Sequence, residues 1–402
     1  MESAEVKYAD LKFREEEGRV KADFMRNYYF FLEKKDLAGI APFRAENGSL
    51  FFECSEKRAA SKMPLLLDKG FKGLKHKVRG KDTVYIHRNS GIPLVGSNEF
   101  GLVDRGSNII EVKPLTGCNL SCIFCSVNEG INDKIDLVVE EEYLVEEFER
   151  IASVKEHPVE ANIGPQGEPL LYPKLVELVR DLKAVHNVKV ISINTNGVTL
   201  HAKLIDELAE AGLDRINLSV HALNKSLAKD LMNGPYPLDN VLRMIKYCEG
   251  KIDVLLAPVL IPGYNEQELD GLIELSKTIK NKKWPTIGVQ NYLNYKGGRN
   301  ITEEMPWNDF FSLLKRKEEE HGVKLIVDEN VFGIHKDNTL EKPFRKGQVI
   351  KAEIKSRGRN KNEKLCVAQE RVITVINCFK EKGYVNVRLL RDKHNVYTAI
   401  PV

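Results

Sequence analysis

Apolar residues recur along the middle of the chain in short runs, which alternate with longer stretches where apolar positions fall three and four apart. The runs predict strands and the longer stretches predict amphipathic helices. The predicted strands lie at 109–113, 159–163, 188–194, 215–220, 252–259 and 286–293. With helices such as 173–186 and 200–211 between them, they predict a parallel α/β array that closes into a partial (β/α)6 barrel. In such folds chemistry gathers where strands end, so we expect functional residues in the loops that follow each strand.

The two ends of the chain carry different patterns. Residues 1–104 mix a charged, helix-like start with short strand-like runs at 49–54 and 83–87, which predicts an α+β extension. The C-terminal segment contains five short strand-like runs, at 348–354, 365–368, 371–376, 385–390 and 396–400. These runs predict a small closed β-barrel of the oligonucleotide-binding kind. We therefore place three domains at 1–104, 105–331 and 345–402, with a linker at 332–344.

Composition predicts a soluble cytoplasmic protein. Of the 402 residues, 42% are hydrophobic and 30% are charged, which allows an ample core. The first residues are charged throughout and no apolar run is long enough to span a bilayer, so we expect neither a secretory leader nor a membrane segment. Seven cysteines, three of them clustered, do not resemble a disulfide framework.

The net charge of +3 hides an asymmetry between the tail and the rest of the chain. Residues 345–402 hold 14 lysines and arginines against 5 acidic residues, whereas the preceding 344 residues hold 47 against 53. A basic module joined to a slightly acidic body predicts a polyanionic partner. A solvated, lysine-rich surface is the alternative interpretation.

Three cysteines within eight residues, Cys118, Cys122 and Cys125, offer the most specific chemistry in the chain. Thiolates bind iron–sulfur clusters, and three of them leave one iron of a four-iron cluster open. A structural zinc site needs four closed ligands. The other cysteines are scattered, and no histidine lies between His87 and His157. The spacing therefore favours a three-thiolate cluster over a zinc site.

This C-x3-C-x2-C pattern resembles that of the radical S-adenosylmethionine (radical SAM) superfamily. The resemblance implies that Cys118, Cys122 and Cys125 are catalytic metal ligands, which hold one [4Fe–4S] cluster, and that SAM binds the open iron. It further implies that Phe124 borders the adenine. The implied reaction is reductive cleavage of SAM to a 5′-deoxyadenosyl radical, with an electron donor such as ferredoxin or flavodoxin.

Loops after the predicted strands resemble SAM-binding elements of the same superfamily. They read GPQGEP at 164–169, TNG at 195–197, NLSVHAL at 217–223 and LIPGYNE at 260–266. In the first loop Gln166 replaces one glycine of the usual pair, and Glu168 would offer an anion to the SAM ammonium group. Plain turns, a core histidine and a helix cap formed by Asn265 and Glu266 are the alternatives. The SAM-binding residues implied by the resemblance are Phe124, Gly164, Gly167, Glu168, Asn194, Thr195, Asn196, Ser219, His221, Leu260 and Asn265.

Substrate candidates lie after the last predicted strand and in the tail. The tail resembles a TRAM domain, a barrel often appended to tRNA-modifying enzymes, and its arginines and lysines would contact phosphates. The candidates at the barrel mouth are Gln290, Tyr292, Lys296 and Arg299. The candidates for phosphate contact are Arg357, Arg359, Lys361 and Arg391.

Absent motifs narrow the chemistry further. Residues 1–117 contain only Cys54, so the N-terminal cluster of the radical SAM methylthiotransferases is not expected. The D-x-H-x-x-G signature of a cobalamin-binding domain is also missing. We therefore favour a radical SAM enzyme with a single cluster that modifies RNA, with tRNA as the expected substrate. Two alternatives stay open: a radical SAM enzyme for a small metabolite or peptide, with the tail as a lid or partner surface, and an RNA-binding protein with a structural metal.

Overall fold

The computed structural model describes residues 3–130 and 133–402. In chain order the strands are β1 (Ala4–Val6), β2 (Leu11–Glu16), β3 (Arg19–Phe24), β4 (Tyr28–Leu32), β5 (Phe43–Glu46), β6 (Ser49–Phe52), β7 (Lys75–His76), β8 (Thr83–Ile86), β9 (Gly101–Asp104), β10 (Ile109–Lys113), β11 (Asp136–Val139), β12 (Val159–Ile163), β13 (Val188–Thr195), β14 (Arg215–Leu218), β15 (Asp253–Leu256), β16 (Val259–Leu260), β17 (Gln290–Asn291), β18 (Val349–Arg357), β19 (Lys364–Ala368), β20 (Arg371–Val375), β21 (Gly383–Arg391) and β22 (Thr398–Pro401). The helices are α1 (Lys34–Ala38), α2 (Glu56–Phe71), α3 (Glu141–Ala152), α4 (Leu175–Ala184), α5 (Ala202–Ala211), α6 (Lys225–Met232), α7 (Leu238–Tyr247), α8 (Leu269–Lys277) and α9 (Trp307–His321).

The chain divides into two compact units. An N-terminal unit comprises Met1–Ile86 with Lys134–Val138, and a main unit comprises His87–Asp133 with Val139–Val402. No helix in the described residues combines the length and the apolar character that crossing a membrane requires.

The described residues of the N-terminal unit contain antiparallel sheets in the orders β1-β6-β5 and β2-β3-β4-β7, and β8 pairs with β11. The charged segment that we expected to start as a helix forms β1 and β2 instead. In β2, Leu11 and Phe13 are buried while Lys12 and Arg14 are exposed, and this period of two is the pattern of a half-buried strand. In α2, Gly70 lets the helix pack directly against the aromatic ring of Phe30 in β4. A Cβ at residue 70 would come within 2.4 Å of that ring.

The main unit contains a six-stranded sheet in the order β15-β14-β13-β12-β10-β9. Neighbouring strands from β10 to β15 run parallel, and β9 pairs antiparallel with β10 at the edge. The amphipathic helices that the sequence predicts between strands are present; α4, for example, buries Leu175, Leu178, Val179 and Leu182. This architecture confirms the predicted partial α/β barrel.

The sixth predicted strand, at 286–293, runs beside β15 and β16, but only two of its residues form β17. Backbone bonds join Leu256 N to Thr286 O, at 2.9 Å, and Gln290 N to Pro258 O, at 2.8 Å. Pro258 has no N–H to donate, so the ladder of hydrogen bonds is interrupted at that residue. The predicted segment therefore runs in the direction of a strand, but it lacks a continuous ladder of backbone hydrogen bonds.

Residues from β18 onward form the closed five-stranded barrel that the sequence predicts, in the order β18-β19-β20-β22-β21. The β20–β22 pair is parallel and the other pairs are antiparallel. This order and these directions match an oligonucleotide-binding barrel. Its core is apolar and includes Ile373, Val387, Tyr397 and Ala399.

The C-terminal barrel packs tightly on the rest of the main unit through backbone contacts. Val372 N donates to Val95 O at 3.0 Å, and Tyr397 N donates to Gly96 O at 2.8 Å. Gly96 has a φ of +131°, and a Cβ there would lie 2.0 Å from Val372 O. Only glycine fits this contact, so the docking of the barrel is already encoded at residue 96.

Candidate active site

The three clustered cysteines line a cavity of about 300 Å³ at the carboxyl ends of the parallel strands. This volume lies at the lower end of the range of small-ligand pockets. Of the residues predicted from sequence, the cavity lining includes Cys118, Cys122, Phe124, Cys125, Gly167, Glu168, Asn194, Thr195, Asn196, Ser219, His221, Gln290 and Tyr292. The fold thus gathers loops from five different strand ends around one space, as expected for the carboxyl edge of a parallel sheet.

The cysteine loop is held in place by Arg299, which we had expected to contact substrate. Its guanidinium donates to Cys122 O at 2.6 Å, to Asn128 Oδ1 at 2.8 Å and to Glu129 O at 2.8 Å. Its backbone N–H also donates to Cys125 O at 2.9 Å. Three of the five guanidinium N–H groups are thereby committed to the loop. Arg299 is therefore a support of the cysteine loop, which corrects the prediction of a substrate contact.

The cysteine environment suits a positively charged iron cluster. Burial raises the pKa of the Cys118 thiol, and it raises the pKa of the Cys122 thiol to about 12. Buried thiolates need nearby positive charge, and cluster iron supplies it. The backbone N–H of Glu129 donates to Cys125 Sγ at 3.3 Å, the kind of bond that stabilises a thiolate ligand. The donor set and its surroundings thus fit a cluster held by Cys118, Cys122 and Cys125.

The GPQGEP loop lies directly against the start of the cysteine loop. Glu168 N donates to Gly117 O at 2.8 Å. At Gly167, where φ is +66°, a Cβ would lie 2.7 Å from Gly117 O. The glycine is required by this close backbone approach, so the loop is more than a surface turn. Gly164, with a φ of +114°, directly follows β12, and a Cβ there would lie 3.1 Å from Asn194 Cβ.

Glu168 is buried and links two strand ends. Its carboxylate accepts hydrogen bonds from Thr195 Oγ1 at 2.6 Å, Asn196 N at 2.8 Å and Leu170 N at 3.0 Å. Burial raises its pKa to about 7, and the three hydrogen bonds oppose that rise. The carboxylate also lines the cavity, so a bound ammonium group would meet an acceptor whose position is already fixed.

Beneath the cavity, a ring of hydrogen bonds crosses three neighbouring strands, a feature absent from the sequence prediction. Asn217 Nδ2 donates to Asn194 Oδ1 at 3.0 Å, and Asn194 Nδ2 donates to Asn162 Oδ1 at 2.7 Å. The chain of bonds continues through Ser192 to Glu160, and Arg215 closes it by donating to both Glu160 and Asn217. Asn194 and Asn217 both line the cavity, so this ring fixes the amides of its floor.

His221 faces the cavity as a neutral ring. Its Nδ1 accepts a hydrogen bond from Val259 N at 3.0 Å, which leaves its proton on Nε2. Burial lowers its pKa to about 4. Its ring meets the edge of Phe124 with centroids 4.7 Å apart. At neutral pH the residue can therefore donate one hydrogen bond and carries no charge.

Asn265 fixes the LIPGYNE loop rather than capping a helix. Its side chain donates to His221 O at 2.8 Å and to Val259 O at 2.9 Å, and it accepts from Ile261 N at 2.7 Å. It makes no capping bond to the short helix that follows, so the helix-cap alternative is wrong. Leu260 is buried in β16 beside it, and its backbone O accepts from Tyr292 N at 3.2 Å.

The neutral state of His221 predicts a pH-dependent stability. An unfolded histidine titrates near 6.5, so the stabilisation from a folded pKa of about 4 is complete above pH 6.5 and is lost as the pH falls towards 4. Between pH 7.5 and pH 5.0 the unfolding free energy of the unaltered protein should decrease. In the His221→Gln variant this decrease should be smaller by about 2 kcal/mol. Urea unfolding of the metal-free protein at the two pH values measures it. The exposed His186, replaced in the same way, is the control; equal pH dependence in both variants would contradict the prediction.

The remaining predicted substrate residues occupy three different environments. Gln290 is exposed at the cavity mouth. Tyr292 is buried, and its hydroxyl bonds to Asn294 Oδ1 at 2.9 Å and accepts from Ile301 N at 2.9 Å, which makes it a brace of this loop. Lys296 is exposed and lies outside the cavity lining formed by the described residues. Tyr295, which the sequence analysis passed over, is half-exposed at the mouth.

The predicted phosphate-contacting residues of the tail differ in their exposure to solvent. Lys361 and Arg391 are exposed, and Arg357 is partly buried. Arg359 is only 1% exposed and forms an ion pair with Glu129 of the cysteine loop, which corrects its prediction as a phosphate contact. Its guanidinium is enclosed because the loop between β18 and β19 turns toward the cavity.

Sequence comparison identifies relatives across much of the chain. A profile of the Radical SAM superfamily matches residues 112–276. An uncharacterized protein of Methanocaldococcus jannaschii is 40% identical over 357 residues, which cover 81% of this chain and 82% of that protein. A GTP 3′,8-cyclase of Aquifex aeolicus is 30% identical over 257 residues, covering 61% of this chain and 78% of the cyclase. The chain spans about half the length, 52%, of the similar cyclase from Lactiplantibacillus plantarum.

Structural comparison gives a weaker likeness. A structure of TYW1 with a bound lysine–pyruvate adduct covers 55% of this chain and 76% of its own, with 19% identity and a TM-score of 0.41. The superfamily match covers the cysteine loop and the strands that surround the cavity. With the similarity to the Aquifex cyclase over most of that enzyme's length, it establishes that the chain belongs to the radical SAM superfamily.

Proposed function

We propose that this radical SAM enzyme modifies RNA, and that its C-terminal barrel contributes the RNA-binding surface. As in other members of the superfamily, the cofactors are a [4Fe–4S] cluster and SAM. When bound, they supply the radical chemistry: one electron cleaves SAM to methionine and a 5′-deoxyadenosyl radical, which takes a hydrogen atom from the substrate. The protein's own residues hold the two cofactors, orient the substrate at the cavity mouth and exclude water.

A mixed aromatic and basic face on β18 and β21 is the observation that carries the RNA proposal. Tyr384 is 55% exposed, and the Lys351 ammonium lies 4.8 Å from its ring centroid. Arg388 is exposed on the same strand as Tyr384, and Phe379, in the loop before β21, is 74% exposed. Exposed aromatic rings stack on bases, while lysine and arginine neutralise phosphates.

The face that oligonucleotide-binding barrels commonly use is covered in this protein. That face comprises the second and third strands and the loop between the first two. Here the third strand, β20, packs on Val95 and Gly96, and the first loop turns inward with Arg359. We therefore propose that RNA binds the surface on β18 and β21 rather than the first loop.

Charge reversal on this face tests the proposal. Replacing Lys351 and Arg388 by glutamate should weaken tRNA binding roughly tenfold or more and reduce the slope of log affinity against log salt by about 1 to 2. Filter binding at 50 and 200 mM salt measures both quantities. An equal change of charge at the exposed Lys62 and Lys203 is the control. Unchanged tRNA affinity in the Lys351/Arg388 variant would contradict the proposal.

Deletion of the whole barrel is the wrong test for RNA binding. It would also remove Arg359 and expose Val95 and Gly96, so loss of activity could arise at the cavity itself. Substitution of exposed side chains avoids that ambiguity. Mass spectrometry of cellular RNA nucleosides, with and without this protein, would then identify the product.

A free nucleotide is the second candidate substrate, favoured by the similarity to GTP 3′,8-cyclases. The amide-rich floor of the cavity, formed by Asn194 and Asn217, suits a nucleobase in either case, because amides donate and accept hydrogen bonds. Release of 5′-deoxyadenosine with GTP and not with tRNA would select this candidate. Release with tRNA alone would select RNA.

We further propose that a one-electron donor such as ferredoxin or flavodoxin reduces the cluster, and that the protein acts in the cytoplasm. The first proposal is supported by the cofactor chemistry, since cleavage of SAM consumes an electron that the described side chains do not supply. The second is supported by the scattered, unpaired cysteines outside the cysteine loop.

A further inference from the structure

The C-terminal barrel inserts one buried arginine into the cysteine loop. Arg359 and Glu129 are 230 residues apart in sequence, and their side chains are 0% and 3% exposed. The two guanidinium nitrogens Nη1 and Nη2 each donate to one carboxylate oxygen, and the Nη2–Oε2 distance is 2.7 Å. This bidentate geometry is the strongest form of an arginine–carboxylate contact.

Glu129 connects this arginine to both cofactor-binding loops. Its backbone N–H donates to Cys125 Sγ, and its backbone O accepts from Arg299. Its carboxylate also accepts from Gln166 Nε2 in the GPQGEP loop. One residue therefore joins a cluster ligand, the loop that resembles the SAM-binding element and the C-terminal barrel.

The loop that carries Arg359 is built to present it. Glu363 braces the loop, because its carboxylate accepts from Arg359 N at 2.9 Å and from Asn360 Nδ2 at 2.9 Å, and its backbone O accepts from Gly358 N at 2.7 Å. A Cβ at Gly358 would lie 2.5 Å from Glu363 Cγ, so the loop also requires glycine there. Such a loop holds its arginine in one place.

Removing charged groups from water is costly, and an apolar pair of similar volume often stabilises a fold equally well. Stability alone is therefore a weak reason for a buried arginine and glutamate beside the cysteines. Their charges do act on a neighbouring cluster, because net charge and hydrogen bonds to the sulfurs set the reduction potential of iron–sulfur clusters.

We propose that Arg359 is a positioning residue of the cofactor site. Through Glu129 it fixes the hydrogen bond to Cys125 and the place of Gln166, and it balances the Glu129 charge next to the cluster. The C-terminal barrel is then a part of the cofactor site as well as a surface for substrate. This inference rests on membership of the radical SAM superfamily and holds whichever substrate the enzyme takes.

Opposite changes in cluster potential test this proposal. Arg359→Met removes the positive charge that balances the Glu129 carboxylate, so the cluster potential should become more negative. SAM should bind roughly tenfold more weakly, a loss typical of residues supporting a metal site. Glu129→Gln leaves the arginine charge in place and should make the potential more positive. Arg359→Lys keeps the charge, so it should restore the potential while SAM affinity recovers only in part. Redox titration of the reconstituted protein, followed by electron paramagnetic resonance with and without SAM, measures both quantities and needs no substrate.

Arg345→Met, at an exposed position just before β18 of the same barrel, is the matched control and should leave both quantities unchanged. Two outcomes would overturn the proposal and leave the ion pair with a purely structural role. One is a potential shift of the same sign in Arg359→Met and Glu129→Gln. The other is a normal potential and a normal SAM affinity in both variants. If Arg359→Met does not retain iron, the Arg359→Lys variant decides the question. A cluster potential in Arg359→Lys equal to that of the unaltered protein supports the positioning role. A shift in Arg359→Lys as large as that in Glu129→Gln contradicts it.

Discussion

Replacement of Cys122 by alanine is expected to give a folded protein that retains little iron after anaerobic reconstitution and no longer cleaves SAM. The residue lines the cavity with Cys118 and Cys125, and its burial raises the pKa of its thiol to about 12, so its thiolate needs the positive charge that iron supplies. Two thiolates cannot hold three corners of a four-iron cluster. Iron content, the visible absorption of the cluster and release of 5′-deoxyadenosine measure the loss.

Cys54→Ala is the matched control, because Cys54 belongs to the N-terminal unit, whereas every residue that lines the cavity belongs to the main unit. It should bind iron and cleave SAM like the unaltered protein. A Cys122→Ala variant that keeps its colour and its SAM cleavage would show that the cysteine loop does not hold the cluster.

Replacement of Gly130 by alanine is expected to have an effect nearly as large, although residue 130 carries no functional group. Its φ is +100°, and a Cβ there would lie 2.0 Å from Leu120 O and 2.9 Å from Ser121 Cα. Both obstacles are backbone atoms of the cysteine loop, so the loop itself must move. We expect reconstituted iron to fall several-fold, with a loss of unfolding free energy of about 3 kcal/mol.

Gly250→Ala separates the cost of the left-handed backbone from the cost of the close backbone contact. Gly250 has a φ of +78°, but no atom lies within 4 Å of the Cβ that alanine would add. It should therefore show only the cost of a left-handed alanine, about 1 kcal/mol, with normal iron content. Urea unfolding and iron analysis measure both variants. Equal behaviour of the two would mean that the close approach to Leu120 is unimportant.

The inward-turned loop of the C-terminal barrel changes how truncations of this enzyme should be interpreted. Since Arg359 contacts Glu129 and β20 packs on Val95, the barrel borders the cysteine loop and the cavity beside it. Loss of iron or SAM binding on truncation would reflect that contact. Surface substitutions at Lys351 and Arg388 leave it intact, which is why they are the better test of RNA binding.

Local patterns were sufficient for much of the fold and for part of the site. The period of the apolar residues predicted the alternating strands and helices from β10 to β15, and turn residues between short runs predicted the five-stranded barrel. The helix-like start failed because its charged residues alternate with Leu11 and Phe13 at a period of two. The sixth strand was shortened because Pro258, which lies between β15 and β16 beside it, cannot donate to the ladder.

Asn194 was predicted to bind SAM, and Asn162 and Asn217 could have been noticed with it, since each is a polar residue inside a buried strand. Their meaning depends on register, which places Asn194 beside Asn217 across two parallel strands. A single strand does not reveal what its neighbour presents. The bonding of Arg299 and Asn265 likewise depends on which loops the fold brings together.

The sequence by itself determined the chemistry of this protein: three closely spaced thiols, glycine-rich loops at strand ends and a basic tail made of five short strands. These features are local, because ligand spacing, backbone freedom and hydrophobic period are each set within a few residues. Only the tertiary structure decided that Arg299 supports the cysteine loop, that His221 is neutral, and that Arg359 of the basic tail is buried against Glu129. The physical reason is that burial and pairing are long-range properties: whether an arginine meets water, a phosphate or a carboxylate depends on residues that may lie 230 positions away in the chain.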